Sequence, residues 1–306
     1  MRAVLWSVLL IALICAVGAD GVARRLDPGE MLSEAIRGAG PGEIIELAPG
    51  TYEGFLFINS SVTVRGRGDA EAVVLRSPGP GTGLLVQIES PREIEVVFEN
   101  LTIENRHGAG LQVEGAVCLT LRRVVVSRAL TAGILVRGRA HVGVVDTLIR
   151  DCGSCGVEAW DAPTIDVQAS EISTCGGCGV RLWDNATLSI VDSLLRGHGE
   201  HGVVSTCGAA LSITGTRIVA NAADGVHLAS AGLTTLWSND IEGNGGYGVR
   251  AAVDGCVVGD EPAVLHPGEI RGSGNRIPQP AGGAAGLGAI CPSSLAYLAE
   301  PSDDEP

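Results

Sequence analysis

The sequence predicts an all-β, single-stranded parallel β-helix solenoid with about 23 residues per coil and a short N-terminal capping helix. Three observations carry that prediction. Glycines that precede an apolar residue fall at Gly110, Gly133, Gly156, Gly179, Gly202, Gly225 and Gly248, each 23 residues after the last. The residue that follows is apolar every time: Leu111, Ile134, Val157, Val180, Val203, Val226 and Val249. Composition agrees, because 44 glycines and only 3% aromatic residues favour many short strands and turns over packed helices.

Further apolar columns keep the same register, including Leu119, Val142, Ile165, Leu188 and Leu211, and Ile103, Val126, Ile149, Ile172, Leu195, Ile218 and Ile241. Apolar positions alternate with polar ones within each repeat, which is the period of a strand and not of a helix. Three short strands per repeat make one coil, and stacking the coils buries each column against itself. The recurring glycine suits a turn that needs positive φ or has no room for a side chain.

In chain order, Arg2, the apolar run Val4–Val17 and the small residues Val17-Gly18-Ala19 read as a secretory signal over residues 1–19. That run is too short to span a bilayer and no later run is longer, so a membrane span is not expected and export is. The β-helix with its cap is assigned to 20–257. Its helix is expected at about 29–37, started by Asp27-Pro28, with Met31, Leu32, Ala35 and Ile36 on one face closing the open end of the core. From 258 to 306 the repeat gives way to Pro- and Gly-rich sequence ending in SDDEP, read as a C-terminal cap and a disordered acidic tail. A net charge of −14, with all 21 basic residues arginine, argues against nucleic acid and anionic membranes as partners.

The segment EAIRGAGPGEIIELAPGTYEGFLFINSSVTVRGRG at 34–68, followed by the seven-fold Gly-[VIL] repeat, resembles the right-handed parallel β-helix superfamily of pectate-lyase-like proteins. The resemblance covers about 28–257 and implies a right-handed solenoid of a kind that binds or processes carbohydrate. It does not bring a catalytic set. The polygalacturonase pattern includes a lysine, and this chain has none. The clustered aspartates of calcium-dependent pectate lyases are not matched either, since Asp146 and Asp192 share a column with Ala169 between them. An enzyme on this scaffold would fall in the polysaccharide lyase or glycoside hydrolase class.

Two sites stand out. CGSCGVEAWD at 152–161 is nearly repeated as CGGCGVRLWD at 175–184, so Cys152 and Cys175 share one column, as do Cys155 and Cys178. One coil further the same columns hold His198 and His201. Sulfurs stacked about 4.8 Å apart suit two readings. One is a Zn or Cu site of Cys152, Cys155, Cys175, Cys178, His198 and His201. The other is disulfides Cys152–Cys175 and Cys155–Cys178, favoured in an oxidising compartment and each closing a loop worth roughly 3 kcal/mol. Unpaired thiols tolerated in a duplicated turn are the third outcome, and Cys256–Cys291 is a candidate staple for the C-terminal cap.

The second site is a ligand face. Alternation turns Glu158, Trp160, Arg181 and Trp183 outward, followed by Asp161 and Asp184. Two stacked, exposed indoles beside charged groups offer a surface for a sugar ring. Stacked carboxylates near about 5 Å also match the spacing of a retaining glycosidase, while simple stacking of identical residues along a solenoid explains the same pattern without a ligand. The sequence therefore supports three functions: an exported β-helix protein of the secreted, periplasmic or cell-surface space that binds or processes a polysaccharide; a periplasmic metal-associated accessory protein, similar to the copper-associated proteins of nitrous-oxide reductase assembly; or a non-catalytic surface scaffold.

Overall fold

A computed structural model of the protein describes residues 23–79, 84–229, 232–253, 256, 268–278 and 290–299. The segment 1–19, expected to be a secretory signal, and the SDDEP terminus lie outside the described residues. The chain is an all-β parallel solenoid of about 10 turns. Strands pair in parallel at a 23-residue offset, with Leu111 beside Ile134, then Val157, Val180, Val203, Val226 and Val249. Each regular coil contributes three strands, such as Val157–Ala159, Thr164–Gln168 and Glu171–Ser173. The apolar columns form one continuous core from Leu26 to Leu298.

Close approach, and not positive φ, explains the glycine column. A Cβ on Gly179 would sit 2.5 Å from the Gly202 carbonyl oxygen and 2.7 Å from His198 Nε2. Left-handed backbone falls instead on other columns. Asp146, Ala169, Asp192 and Ser238 have φ between 47° and 53°, so Asp146 and Asp192 are corner residues and not ligands of a common site. The residues that follow bind coil to coil: the Thr147 amide donates to Ser170 Oγ at 3.1 Å, Ser170 to Ser193 Oγ at 3.2 Å, Ser193 to Thr216 Oγ1 at 3.3 Å and Thr216 to Asn239 Oδ1 at 2.9 Å. Backbone donors at the corners, which the strands leave open, are satisfied this way.

The ends differ from the expected outline in detail. A strand, Ala23–Leu26, precedes the cap and pairs with Glu43–Leu47. The helix is shorter than expected, Leu32–Arg37, with Met31 as its N-cap residue. Leu32, Ala35 and Ile36 are buried against the core, whereas Met31 is 58% exposed and not part of that face. Stacking continues beyond residue 257: Ile270–Ser273 pairs with Thr234–Trp237, Ile290–Cys291 pairs with Val249–Arg250, and a 3-10 helix, Ser293–Ala299, buries Leu295 and Leu298. Cys256 and Cys291 are disulfide-bonded. Among the described residues no helix is long and apolar enough to cross a membrane.

Candidate functional site

One sheet of the solenoid, running from Leu111 through Ile134, Val157, Val180, Val203 and Val226 to Val249, carries every residue of interest. Its inward residues build the core. Its outward residues form two columns, Glu158, Arg181, Val204, His227 and Arg250 in one, and Trp160 and Trp183 in the other. The turn that enters this sheet supplies Cys155, Cys178, His201 and Asp224.

Trp160 and Trp183 stack with ring centroids 4.7 Å apart and planes 12° from parallel. They are half-buried, not fully exposed as expected, because each indole covers its neighbour and the sheet beneath. Trp183 Nε1 has no hydrogen-bond partner among the described residues. The neighbouring carboxylates are turn residues. Asp161 and Asp184 lie at φ 72° and 55°; Asp161 accepts the Gly138 amide at 3.0 Å and Asp184 accepts the Asp161 amide at 3.2 Å. Both are exposed but committed to their corners, which does not suit them as a free acid–base pair. Arg181 turns toward the corner, where its Nη2 donates to Glu200 Oε2 and to Cys178 Sγ, the latter at 3.2 Å.

The four cysteines do not converge. Cys152 and Cys175 point into the main core. Cys155 and Cys178 lie on the other side of the turn in a separate cluster with Val204. All four are buried free thiols, so neither Cys152–Cys175 nor Cys155–Cys178 is bonded. In-register parallel strands hold Cβ atoms about 4.8 Å apart, outside the ~3.5–4.5 Å that a disulfide needs. The inner thiols instead donate to carbonyls two residues back, Cys152 to Arg150 at 3.6 Å and Cys175 to Ser173 at 3.5 Å. The six-residue Cys/His metal set is likewise split: His198 belongs to the inner column, accepting the Cys175 amide at 3.3 Å, and His201 to the outer one.

The outer thiols are electrostatically unequal. Cys178 Sγ lies 3.2 Å from Glu200 Oε2, and the thiol is pushed up by its hydrogen bond to Cys155 and by burial. Cys155 is held down to about 7 by its hydrogen bond with Cys178, against the effect of burial and with the help of the Arg181 charge.

Two coils beyond the Trp pair, the same face holds a polar cluster centred on Asp224. Arg250 Nε donates to Asp224 Oδ2 at 2.7 Å, and the Nδ1 atoms of His201 and His227 lie 3.3 Å and 3.4 Å from that same oxygen. Oδ1 accepts the Tyr247 amide at 2.8 Å. Burial alone would raise the Asp224 carboxyl, but His201, His227 and Arg250 outweigh it and hold the group far below the usual carboxylate range. Column arithmetic from Glu158 and Arg181 reaches His227 and Arg250. Arg250 is also held by the C-terminal segment, whose Cys256 carbonyl accepts from its Nη1 at 3.2 Å.

Residues 85–241 match the family described as right handed beta helix region. The chain belongs to that family. Its solenoid is right-handed. Similar solved structures include the A-module of the mannuronan C-5 epimerase AlgE4 of Azotobacter vinelandii, at 19% identity over 83% of this chain and 73% of that one, with a TM-score of 0.66. Pectate lyase Pel9A gives 14% identity over 84% and 79%, with a TM-score of 0.64. An alginate lyase from Paenibacillus sp. str. FPU-7 gives 14% identity over 87% and 97%, with a TM-score of 0.55. At these identities the likeness is one of fold. No curated protein matches the chain in sequence.

Proposed function

We propose that this protein is exported and binds a polysaccharide along the outward face that carries Trp160 and Trp183. The stacked indole pair carries the reading. Stacked face to face on consecutive coils, the two half-buried rings present their edges as a narrow apolar strip along the solenoid axis, against which the apolar face of a sugar in an extended chain can pack. Glu158 lies beside the strip, and Arg137 occupies the next position toward the N-terminus, one coil before Trp160. Both can hydrogen-bond ring hydroxyls or pair with charged substituents. Export rests on the signal-like residues 1–19, and a secreted, periplasmic or cell-surface location follows from it. The similar folds of an alginate epimerase, an alginate lyase and a pectate lyase agree with a carbohydrate ligand.

A panel of neutral and uronate-containing polysaccharides tests the reading, with affinity followed by calorimetry. Trp160→Ala and Trp183→Ala should each weaken the retained ligand about 2–10-fold, the equivalent of ~0.5–1.5 kcal/mol per aromatic contact, with the circular dichroism of the fold kept. Binding that is unchanged in both variants, or absent for every polymer, rejects the face as the site.

A further inference from the structure

Outside the Trp face, the molecule's densest group of metal-ligating side chains is the Asp224 cluster, the only set of three among the described residues whose ligand atoms all lie within 4.8 Å of one another. The fold brings it together from two adjacent coils. Asp224 and His227 are three residues apart on one coil, at the turn and at the outward position of the next strand. His201 occupies the turn position of the coil before. Asp224 and His227 are 3% and 4% exposed, while the His201 side chain, at 19%, keeps one side of the cluster open to solvent.

Two of the three ligand separations are those of a tetrahedral metal site. With bonds of about 2.0–2.1 Å to imidazole nitrogen and carboxylate oxygen, two ligands of a tetrahedral ion lie about 3.3–3.4 Å apart. The two His Nδ1 to Asp224 Oδ2 separations are 3.3 Å and 3.4 Å. His201 Nδ1 accepts the Asp224 backbone N–H at 3.1 Å, a hydrogen bond that its lone pair gives up when it binds the ion. The Tyr247 amide holds Oδ1 of Asp224 and Arg250 Nε holds Oδ2, the oxygen the two histidines face, and a metal-bound carboxylate is commonly hydrogen-bonded in this way.

We propose that His201, Asp224 and His227 form a mononuclear site for a divalent transition-metal ion of the zinc class, with its fourth position open on the His201 side. Two imidazoles and a carboxylate suit zinc and its neighbours; calcium and magnesium take oxygen ligands. This site is independent of the carbohydrate reading and excludes all four cysteines.

The full chain, stripped with a chelator and dialysed, is titrated with Zn(II) by calorimetry and its metal content measured after gel filtration. One zinc per chain is expected. His201→Gln and His227→Gln should each weaken binding at least tenfold, and Cys155→Ser and Cys178→Ser should leave it unchanged. Co(II) in place of zinc should give visible d–d bands without a thiolate charge-transfer band. His201 is the most solvent-exposed ligand, so His201→Gln with native circular dichroism decides the matter if His227→Gln fails to fold. A wild-type chain that takes up no zinc, uptake unaffected by a folded His201→Gln, or uptake lost in Cys178→Ser overturns the proposal.

Discussion

Cys152, Cys175, His198, Asn221 and Asn244 form one column of the solenoid; Cys155, Cys178, His201, Asp224 and Tyr247 form another, three residues later in every coil. The first faces inward and behaves as a structural ladder. The His198 amide donates to Asn221 Oδ1 at 3.1 Å, the Asn221 amide to Asn244 Oδ1 at 3.1 Å, and Asn244 Nδ2 to the Ile218 carbonyl at 3.1 Å. The second faces out under a thin cover of charged side chains and gathers a thiol beside a guanidinium, two imidazoles and a buried carboxylate. A residue in left-handed backbone precedes the inner column, Asp151 at φ 56° and Thr174 at φ 53°, and reverses the chain there. The inner residues cap one another's backbone amides from coil to coil, with the His198 side chain among them. Charged pairs collect on the outer side, where Arg250 meets Asp224 and Arg181 meets Glu200.

That contrast makes charge the larger loss. Asp224→Ala should destabilise the protein by about 3–5 kcal/mol, because it takes the carboxylate from a nearly buried Arg250 and from two imidazoles. Chemical denaturation at neutral pH measures it, and a cost below about 1 kcal/mol would mean that the outer column is no more than a surface. On the inner side, Asn221→Ala should cost about 1–3 kcal/mol by leaving the buried His198 amide without its acceptor, with Asn221→Ser, whose hydroxyl can accept, recovering part of it. If the two substitutions cost the same, the columns are energetically alike.

Period, strand count and core were legible in the sequence because the solenoid repeats them: a column such as Val157, Val180 and Val203 is visible once residues are aligned at 23. The corner chemistry was not. Alternation holds along strands but fails at corner residues with positive φ, and this is why CxxC looked like one edge when its two cysteines face opposite sides of the turn. Asp161 and Asp184 beside Trp160 and Trp183 read as ligand groups for the same reason, since nothing local distinguishes a carboxylate that caps a corner from one that is free. His227 and Arg250 sit in a column already marked by Glu158 and Arg181, but their partner Asp224 lies in the other column and a further partner of Arg250 is the Cys256 carbonyl of the C-terminal segment, contacts that alternation along one strand does not reveal.

The smallest expected effect separates the two thiol pairs from each other. Arg181 donates to Cys178 Sγ at 3.2 Å on the outer side, whereas His198 stands beside Cys175 on the inner one. With Cys155 held down to about 7, its alkylation should rise through neutral pH, whereas on the inner side Cys175 is held down to about 5 by its hydrogen bond with Cys152 and should show a profile already flat there, and Cys152, pushed up by that bond and by burial, should stay unreactive in the native state. A Cys207→Ser background removes the exposed thiol that would otherwise react first. Arg181→Gln takes away a cation that favours the thiolate, so the pKa must rise; one unit, ~1.4 kcal/mol, lowers the thiolate fraction at pH 7 from about a half to about a tenth. Mass mapping of alkylated peptides against pH would then show the Cys155 profile moving upward by about that much. An unmoved profile would mean that the hydrogen bond between Cys155 and Cys178 alone holds the thiolate, and that Arg181 serves Glu200 instead.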